Sequence, residues 1–428
     1  MKRRHFVLGA AAAAAGAWAL RPGDEGAPYE DYFARLNEEL KQHGPMRPVM
    51  LVDLDLLDRN IELINRSMQV TRMPRGYRVV AKSVPSGKMI DYVMRRAGTR
   101  RLMAFHQPFL NEHARLYPQA DILLGKPMPA GAAALFYRQH RGDFDPAHQL
   151  QWLVDTPERM SEYLALAQGQ DLQMRINIEI DVGLHRGGVL PGSQLAAICD
   201  LIQANPDHLT FSGFMGYDPH VVKVPGLLAS RSELLERAMR IYDAAVSQVR
   251  QDYPRLWNNG VGLTLNTAGS PTYKLHEGET LSNDIAVGSA LVKPTDFDID
   301  TLEQHRPAAF IATPVLKSTG EVEIPGLDEK SRLLSWWDVN QRRTYFIYGG
   351  YWKARLHAPG GLRHNSLYGR STNQEMVTGS AATALGVNDH VFLRPTQSEF
   401  VFLQFGDLLA VRGGRIVESW PVFDQSQA

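Results

Sequence analysis

Between residues 48 and 293 the chain alternates short apolar, β-branched runs with amphipathic stretches, and no other feature restricts its fold as much. Such alternation is the pattern of βα units, which assemble into parallel sheets. Nine runs are candidate strands, near Val49–Asp53, Arg78–Lys82, Arg101–Ala104, Asp121–Leu124, Gln151–Asp155, Met174–Asp181, Leu209–Tyr217, Gly262–Asn266 and Ala286–Val292. Helical stripes lie between most of them. Leu56, Leu57, Ile61 and Ile64 form one, and Leu234, Leu235, Ala238, Ile241 and Ala245 form another. Eight parallel strands close a barrel, so one run is in excess. The first run is then free to join a second domain, which leaves Arg78–Lys82 to open the barrel. A doubly wound sheet is the competing architecture.

Beyond Pro294 the texture changes. Arg343–Ile347, His390–Leu393, Glu399–Gln404, Leu408–Val411 and Arg415–Val417 are short, β-rich and separated by turn signals such as Pro395-Thr396 and Gly413-Gly414. The expected fold is α/β: a (β/α)8 TIM-type barrel over residues 45–300, followed by an all-β C-terminal domain over 301–428 to which strand 48–53 is added. The length of 428 residues, 44% of them apolar, agrees with two domains. Lys+Arg and Asp+Glu balance at 46 each, which gives no basic face to attract nucleic acid or anionic lipid. The single cysteine, Cys199, excludes an internal disulfide and a cysteine-cluster metal site.

Residues 1–22 differ in kind from the rest. Lys2, Arg3 and Arg4 precede an apolar, alanine-rich run, and Ala17-Trp18-Ala19 supplies a small-x-small cleavage site. The paired arginines followed by Phe6 and Leu8 read as a twin-arginine signal, which implies periplasmic export of a folded chain and no membrane attachment after its removal. A basic amphipathic helix of a cytosolic protein is the alternative.

Lys82 is the most informative single residue. It closes the apolar run Val79-Val80-Ala81, and a helix is expected to begin near Ser86. In a barrel this sets its amine at the carboxyl-terminal mouth, where barrel enzymes build active sites and an amine can attack a carbonyl carbon. A snorkelling or ion-paired lysine is the plainer alternative. Three glycine- and serine-rich turns accompany it: Ile180–Gly188 around Arg186, Asn266–Thr272, and Val287-Gly288-Ser289. The last two follow late strands, where barrels recurrently bind phosphate through exposed amides and hydroxyls.

These segments, with Val52–Asp55, Asn60, Arg78 and Gly213–His220, resemble the fold-type III pyridoxal phosphate enzymes, and among them the D-threonine aldolase and D-serine dehydratase-like group on the alanine racemase barrel. The resemblance implies a Schiff base between Lys82 and pyridoxal 5'-phosphate, with Arg186 near the ring's phenolic oxygen. It implies that Thr267, Gly269, Ser270, Gly288 and Ser289 hold the phosphate and that Tyr217 and His220 lie beside the cofactor. Lys82 would be the first catalytic base, with His220 or Tyr217 relaying protons. The group holds a divalent metal through a histidine and, two positions later, an acidic residue or cysteine. Here Gln397 and Glu399 occupy those positions, and the group's Glu-His-Gly motif reads Gln374-Glu375-Met376, so a metal is doubtful. His276, His364 and His390 are scattered and form no replacement. The implied activity is that of a lyase on a small, β-hydroxy D-amino acid, as a homodimer. An amino-acid racemase and a non-catalytic cofactor carrier are the alternatives. Tyr345, Tyr348, Tyr351 and Trp352 are expected in the core of the β-domain.

Overall fold

The computed structural model describes residues 21–70, 75–278, 281–365 and 367–424. The export signal expected over residues 1–22 falls outside them up to residue 20. The chain divides into two compact units.

One unit is a closed parallel barrel. With β1 at Val49–Asp53 outside it, the barrel runs through β2 (Gly76–Val80), β3 (Arg101–Ala104), β4 (Asp121–Leu124), β5 (Leu150–Val154), β6 (Met174–Glu179), β7 (Leu209–Gly216), β8 (Thr264–Thr267) and β9 (Asp284–Val287). Closure comes from β9 pairing in parallel with β2, Asp284 opposite Gly76 and Val287 opposite Val79. Helices connect the strands, and their ends carry the expected signals. Thr156 accepts from the Arg159 amide at the start of Pro157–Gln170, and Ser230 with Glu233 forms a capping box that opens Arg231–Asp252.

The barrel interior is polar at the level of Arg78. Its fully buried guanidinium reaches Asp284 Oδ1 at 2.9 Å and Oδ2 at 3.0 Å, and Asp121 Oδ2 at 3.1 Å. Gln151 donates to Asp121 Oδ1 at 2.8 Å and to Thr264 Oγ1 at 2.9 Å, and Asn266 donates to Asp284 Oδ1 at 2.6 Å. Every buried charge in this layer is therefore paired or hydrogen-bonded, the condition under which such burial is tolerated. Apolar packing lies on the outer faces of the strands: Val79, Leu102, Ile122, Trp152 and Ile178 are buried.

The other unit is an antiparallel sheet of nine strands. It takes β1 together with β10 (Ala309–Thr319), β11 (Arg343–Tyr348), β12 (Ala354–Ala358), β13 (Arg363–His364), β14 (Gln374–Gly379), β15 (His390–Pro395), β16 (Leu408–Arg412) and β17 (Arg415–Trp420). Val49 pairs with Ala312 and Val52 with Ala309, so the surplus apolar run belongs to this sheet. The helix Asp31–His43 lays Phe33, Leu36 and Leu40 on Val49, Leu51, Phe310 and Phe392 to form its core.

The barrel and the second antiparallel sheet meet the expected fold class; local expectations need three corrections. The first barrel strand stops at Val80, and Ala81–Ser83 forms a single 3-10 turn. Likewise β9 stops at Val287, and Ser289–Leu291 is helical. Glu399–Phe402 is a helical turn rather than strand, because Val401 and Phe402 are buried side by side and a strand would put them on opposite faces. Of the β-domain tyrosines, Tyr345 is buried while Tyr348 and Tyr351 are exposed. No helix among the described residues is long and apolar enough to cross a membrane.

Candidate active site

The turns that follow the barrel strands line a cavity of about 130 Å³. Seven of the nine residues singled out in the sequence are on its wall: Lys82, Arg186, Tyr217, Gly269, Ser270, Gly288 and Ser289. Thr267 and His220 are not. Thr267 is buried, its hydroxyl 3.5 Å from His276 Nδ1. His220 opens the short helix His220–Lys223, and its Nε2 lies 3.2 Å from the point a Cβ on Gly183 would occupy.

The 3-10 turn after β2 brings Lys82 Nζ to 2.6 Å from Glu399 Oε1 and 4.7 Å from the centre of the Phe105 ring. The two charged side chains retain 41% and 40% exposure, so water screens this pair and the chain spends little stability on it. Glu399 also lines the cavity. The sequence identified it only through the group's metal position, and its partnership with Lys82 has no local signal.

The turns after β2, β8 and β9 interlock. Ser270 Oγ accepts from the amides of Gly288 at 3.0 Å and Ala290 at 3.1 Å, and Ser289 Oγ lies 3.3 Å from Ser83 Oγ. Both glycines are required by space. A Cβ at Gly288 would stand 2.6 Å from Ser83 Oγ and 2.7 Å from Val80 Cβ, and one at Gly269 would stand 2.4 Å from the Tyr217 ring. Ser83 is a member of this set that the sequence reading omitted, although it adjoins Lys82.

Tyr217 owes its place to a bulge in β7. Ile176 pairs with Phe211 and Asn177 with Gly213, so Ser212 is passed over. Gly213 holds φ of 127°, and a Cβ there would lie 2.0 Å from the Thr264 carbonyl oxygen. Beyond the bulge, Met215 and Tyr217 alternate onto the cavity wall. Arg186 lies over the Tyr217 ring at 5.0 Å. Its turn is shaped by Asp181, whose Oδ1 accepts from Gly183 and His185 amides at 3.0 and 2.9 Å. Gly188 closes that turn at φ of 97°, with Asp181 N only 2.7 Å from where its Cβ would be.

Burial raises the Tyr217 phenol, and Arg186 opposes the rise. Glu179, at the end of β6, is pushed up to about 7 by burial, against Arg186 and with help from Asp155 and Asp181. Nothing in its sequence neighbourhood signals this. Burial lowers the His220 imidazole, with Asp218 and Asp181 opposing.

This set of side chains suits pyridoxal phosphate on three counts. Lys82 offers a primary amine to an aldehyde, while Ser83, Ser270 and Ser289 offer hydroxyls to a phosphate beside Gly269 and Gly288. Arg186 and Tyr217 supply a cation and a flat face for an aromatic ring that carries an oxyanion. Among the described residues no group of three or more His, Cys, Asp or Glu is arranged to hold a metal ion.

Comparison with known proteins gives a consistent picture. The family described as alanine racemase, N-terminal domain, matches residues 52–294. A 3-hydroxy-D-aspartate aldolase of Paracoccus denitrificans is 24% identical over 279 residues, 63% of this chain and 65% of that protein, so the chain matches somewhat under two thirds of its length. D-threonine aldolase from Filomicrobium marinum superposes with a TM-score of 0.65 at 16% identity, covering 88% of this chain and 96% of its own. D-threo-3-hydroxyaspartate dehydratase from Delftia sp. HT23 gives 0.64 at 16% identity, covering 88% and 97%. Alanine racemase of Clostridium difficile 630 gives 0.65 at 14%, covering 88% and 98%. At these identities the solved structures establish a shared fold.

Proposed function

This chain belongs to the alanine racemase N-terminal-domain family, and from that premise we propose that it is a pyridoxal phosphate-dependent lyase acting on a small β-hydroxy D-amino acid. The observation that carries the proposal is the Lys82 amine in one cavity with the hydroxyls of Ser83, Ser270 and Ser289, the Tyr217 phenol and the Arg186 guanidinium. The substrate class is supported by the names of two similar proteins, a 3-hydroxy-D-aspartate aldolase and a D-threonine aldolase.

Lys82 would hold the cofactor's aldehyde carbon, Arg186 and Tyr217 its ring, and Gly269, Ser270, Gly288 and Ser289 its phosphate. When bound, the cofactor supplies an electron sink for the charge left when a bond at the substrate's α-carbon breaks. The chain's own groups handle the protons. Glu399 Oε1, 2.6 Å from Lys82 Nζ, would accept a proton from that amine, and as a carboxylate on the cavity wall it would serve a substrate hydroxyl. Tyr217 keeps its phenolic proton at neutral pH because burial raises it, so it acts as a hydrogen-bond donor. Arg186 would fix the ring orientation through its planar guanidinium. His220 lies off the cavity wall and has no direct place in this scheme.

A racemase is the second reading, favoured by Gln397 standing where the β-hydroxy lyases of this resemblance carry a metal-binding imidazole. Incubation with a panel of D- and L-amino acids, scoring aldehyde, ammonia and chirality, separates the two. Turnover of none of them favours a carrier. Borohydride reduction followed by peptide mapping labels Lys82 if the cofactor reading is right, and an unlabelled Lys82 refutes it. Export through the twin-arginine route and a homodimeric state belong to the same proposal. Arg3→Lys with Arg4→Lys would retain the precursor in the cytoplasm, and sedimentation reads the oligomer.

A further inference from the structure

The residue after Tyr217 opens a buried polar chain whose central members, Asp218, Thr272 and His276, are not among the cofactor contacts above. Asp218 is 2% exposed and His276 is fully buried, and Asp218 Oδ2 faces His276 Nε2 at 2.6 Å. Asp218 Oδ1 accepts the Thr272 hydroxyl at 2.6 Å, and the Thr272 oxygen accepts from the Gly269 amide at 3.2 Å. On the other side of the imidazole, Nδ1 lies 3.5 Å from Thr267 Oγ1. The His276 carbonyl accepts from Arg75 Nη1. One carboxylate at the end of β7 therefore grips the middle and the far end of the segment that leaves β8, and the imidazole reaches back to its start.

Burying a carboxylate beside an imidazole is expensive, and a well-packed apolar pair of the same volume commonly stabilises as well or better. Burial acts to raise the Asp218 carboxyl, but His276 and the hydrogen bonds from His276 and Thr272 outweigh it and hold the group below its usual range. What an apolar pair does not provide is direction. It cannot orient the Thr272 hydroxyl, nor through it the Gly269 amide, and those groups border Ser270. The Tyr217 ring also packs on this turn at Gly269, which has no room for a Cβ.

We propose that Asp218 and His276 are positioning residues that set the turn 267–272 for a phosphate monoester, so that they confer preference for pyridoxal phosphate over unphosphorylated pyridoxal. The proposal rests on the cofactor reading above and deepens it. Neither residue lines the cavity, and their hydrogen bonds run to the turn that carries Gly269 and Ser270, so the effect expected of them is on the phosphate end.

Full-length protein and the variants Asp218→Ala, Asp218→Asn and Thr272→Val are titrated with pyridoxal phosphate and, separately, with pyridoxal. Borohydride trapping and peptide mapping read occupancy of Lys82, and thermal melting reads folding. Asp218→Ala and Thr272→Val are expected to lose roughly tenfold or more of the preference for the phosphorylated form, the effect of one hydrogen bond to a charged group. The loss should fall on pyridoxal phosphate, with pyridoxal unchanged. Asp218→Asn keeps the shape and, with a change of imidazole tautomer, both hydrogen bonds, so it should retain most of the preference. Equal weakening of both ligands, as a merely structural role would produce, overturns the proposal. So does an unchanged preference in a folded variant. Thr272→Val, which removes one hydroxyl and little volume, carries the test if Asp218→Ala does not fold. Failure of pyridoxal phosphate to label Lys82 in the wild type overturns the cofactor reading and this inference with it. Labelling in the wild type with preference intact in the variants overturns this inference alone.

Discussion

A methyl group added at Gly269 would press on one edge of the Tyr217 ring. The Cβ of Gly269→Ala would stand 2.4 Å from Tyr217 Cε2, 3.1 Å from Cδ2 and 3.5 Å from Cζ. Non-bonded carbons rest at about 3.5–4.0 Å, so the ring edge must retreat by about 1 Å. The ring is largely buried, so that retreat meets packed neighbours. Overpacking of this kind costs about 1–3 kcal/mol. A loss of about 2 kcal/mol in a unit of this size lowers Tm by about 4–8 °C. Gly131→Ala is the matched control. It lies in the helix Ala130–Gln139, where a Cβ meets nothing within 4 Å. The same chemical change there stabilises by about 0.4–1 kcal/mol through the unfolded chain. Thermal melts of the two variants followed by circular dichroism should therefore move in opposite directions. If Gly269→Ala melts at or above the wild type, the Tyr217 ring has room to spare and the packing account of the cavity is wrong.

Two further perturbations probe charge. His113 is fully buried with its imidazole pushed down to about 3, so the unfolded chain protonates first as pH falls through about 6.5. Stability is then lost from about pH 6.5 down to about 3, at up to about 1.4 kcal/mol per pH unit for this group. His113→Phe should show a shallower fall of Tm between pH 7 and 5, and an identical slope would sink the assignment. Glu399→Gln should leave stability within about 1 kcal/mol, because the pair with Lys82 is solvent-screened, while turnover of the best D-amino acid falls roughly a hundredfold. Wild-type turnover in that variant would remove Glu399 from the proton chemistry.

The barrel was legible because its strands bury apolar residues on both faces beyond the polar layer, so most leave a local run such as Val79-Val80-Ala81 or Ile122-Leu123-Leu124. The glycine turns were legible for a related reason: close backbone approach demands glycine at the position itself, as at Gly188, Gly213, Gly269 and Gly288. Glu399–Gln404 was misread because six residues do not distinguish a period of 2 from one of 3.6. The pairings Lys82–Glu399 and Asp218–His276 left no trace in spacing. Their partners meet only because tertiary structure juxtaposes them, and a lone histidine in sequence looks the same whether or not a carboxylate faces it. Arg78 was visible only by resemblance, since a charged residue inside an apolar run argues locally against burial.

That buried arginine accounts for how the cavity turns hold their spacing. Arg78 on β2, Asn266 on β8 and Asp284 on β9 belong to one hydrogen-bonded layer, and each lies two to four residues before a turn that lines the cavity. Lys82 and Ser83, Gly269 and Ser270, and Gly288 and Ser289 thus hang from strands locked in mutual register, the kind of support that preorganises a site. Arg78→Lys keeps the charge but loses the planar fork that reaches Asp284 and Asp121 together. It should destabilise the barrel by about 3 kcal/mol, the order expected when a buried pair is broken. All three turns shift together in that case, so Lys82 trapping by pyridoxal phosphate and by pyridoxal should weaken in equal proportion, unlike the phosphate-selective loss expected of Asp218→Ala. An Arg78→Lys protein that is destabilised yet binds both compounds as the wild type does would show that the turns keep their spacing without this layer.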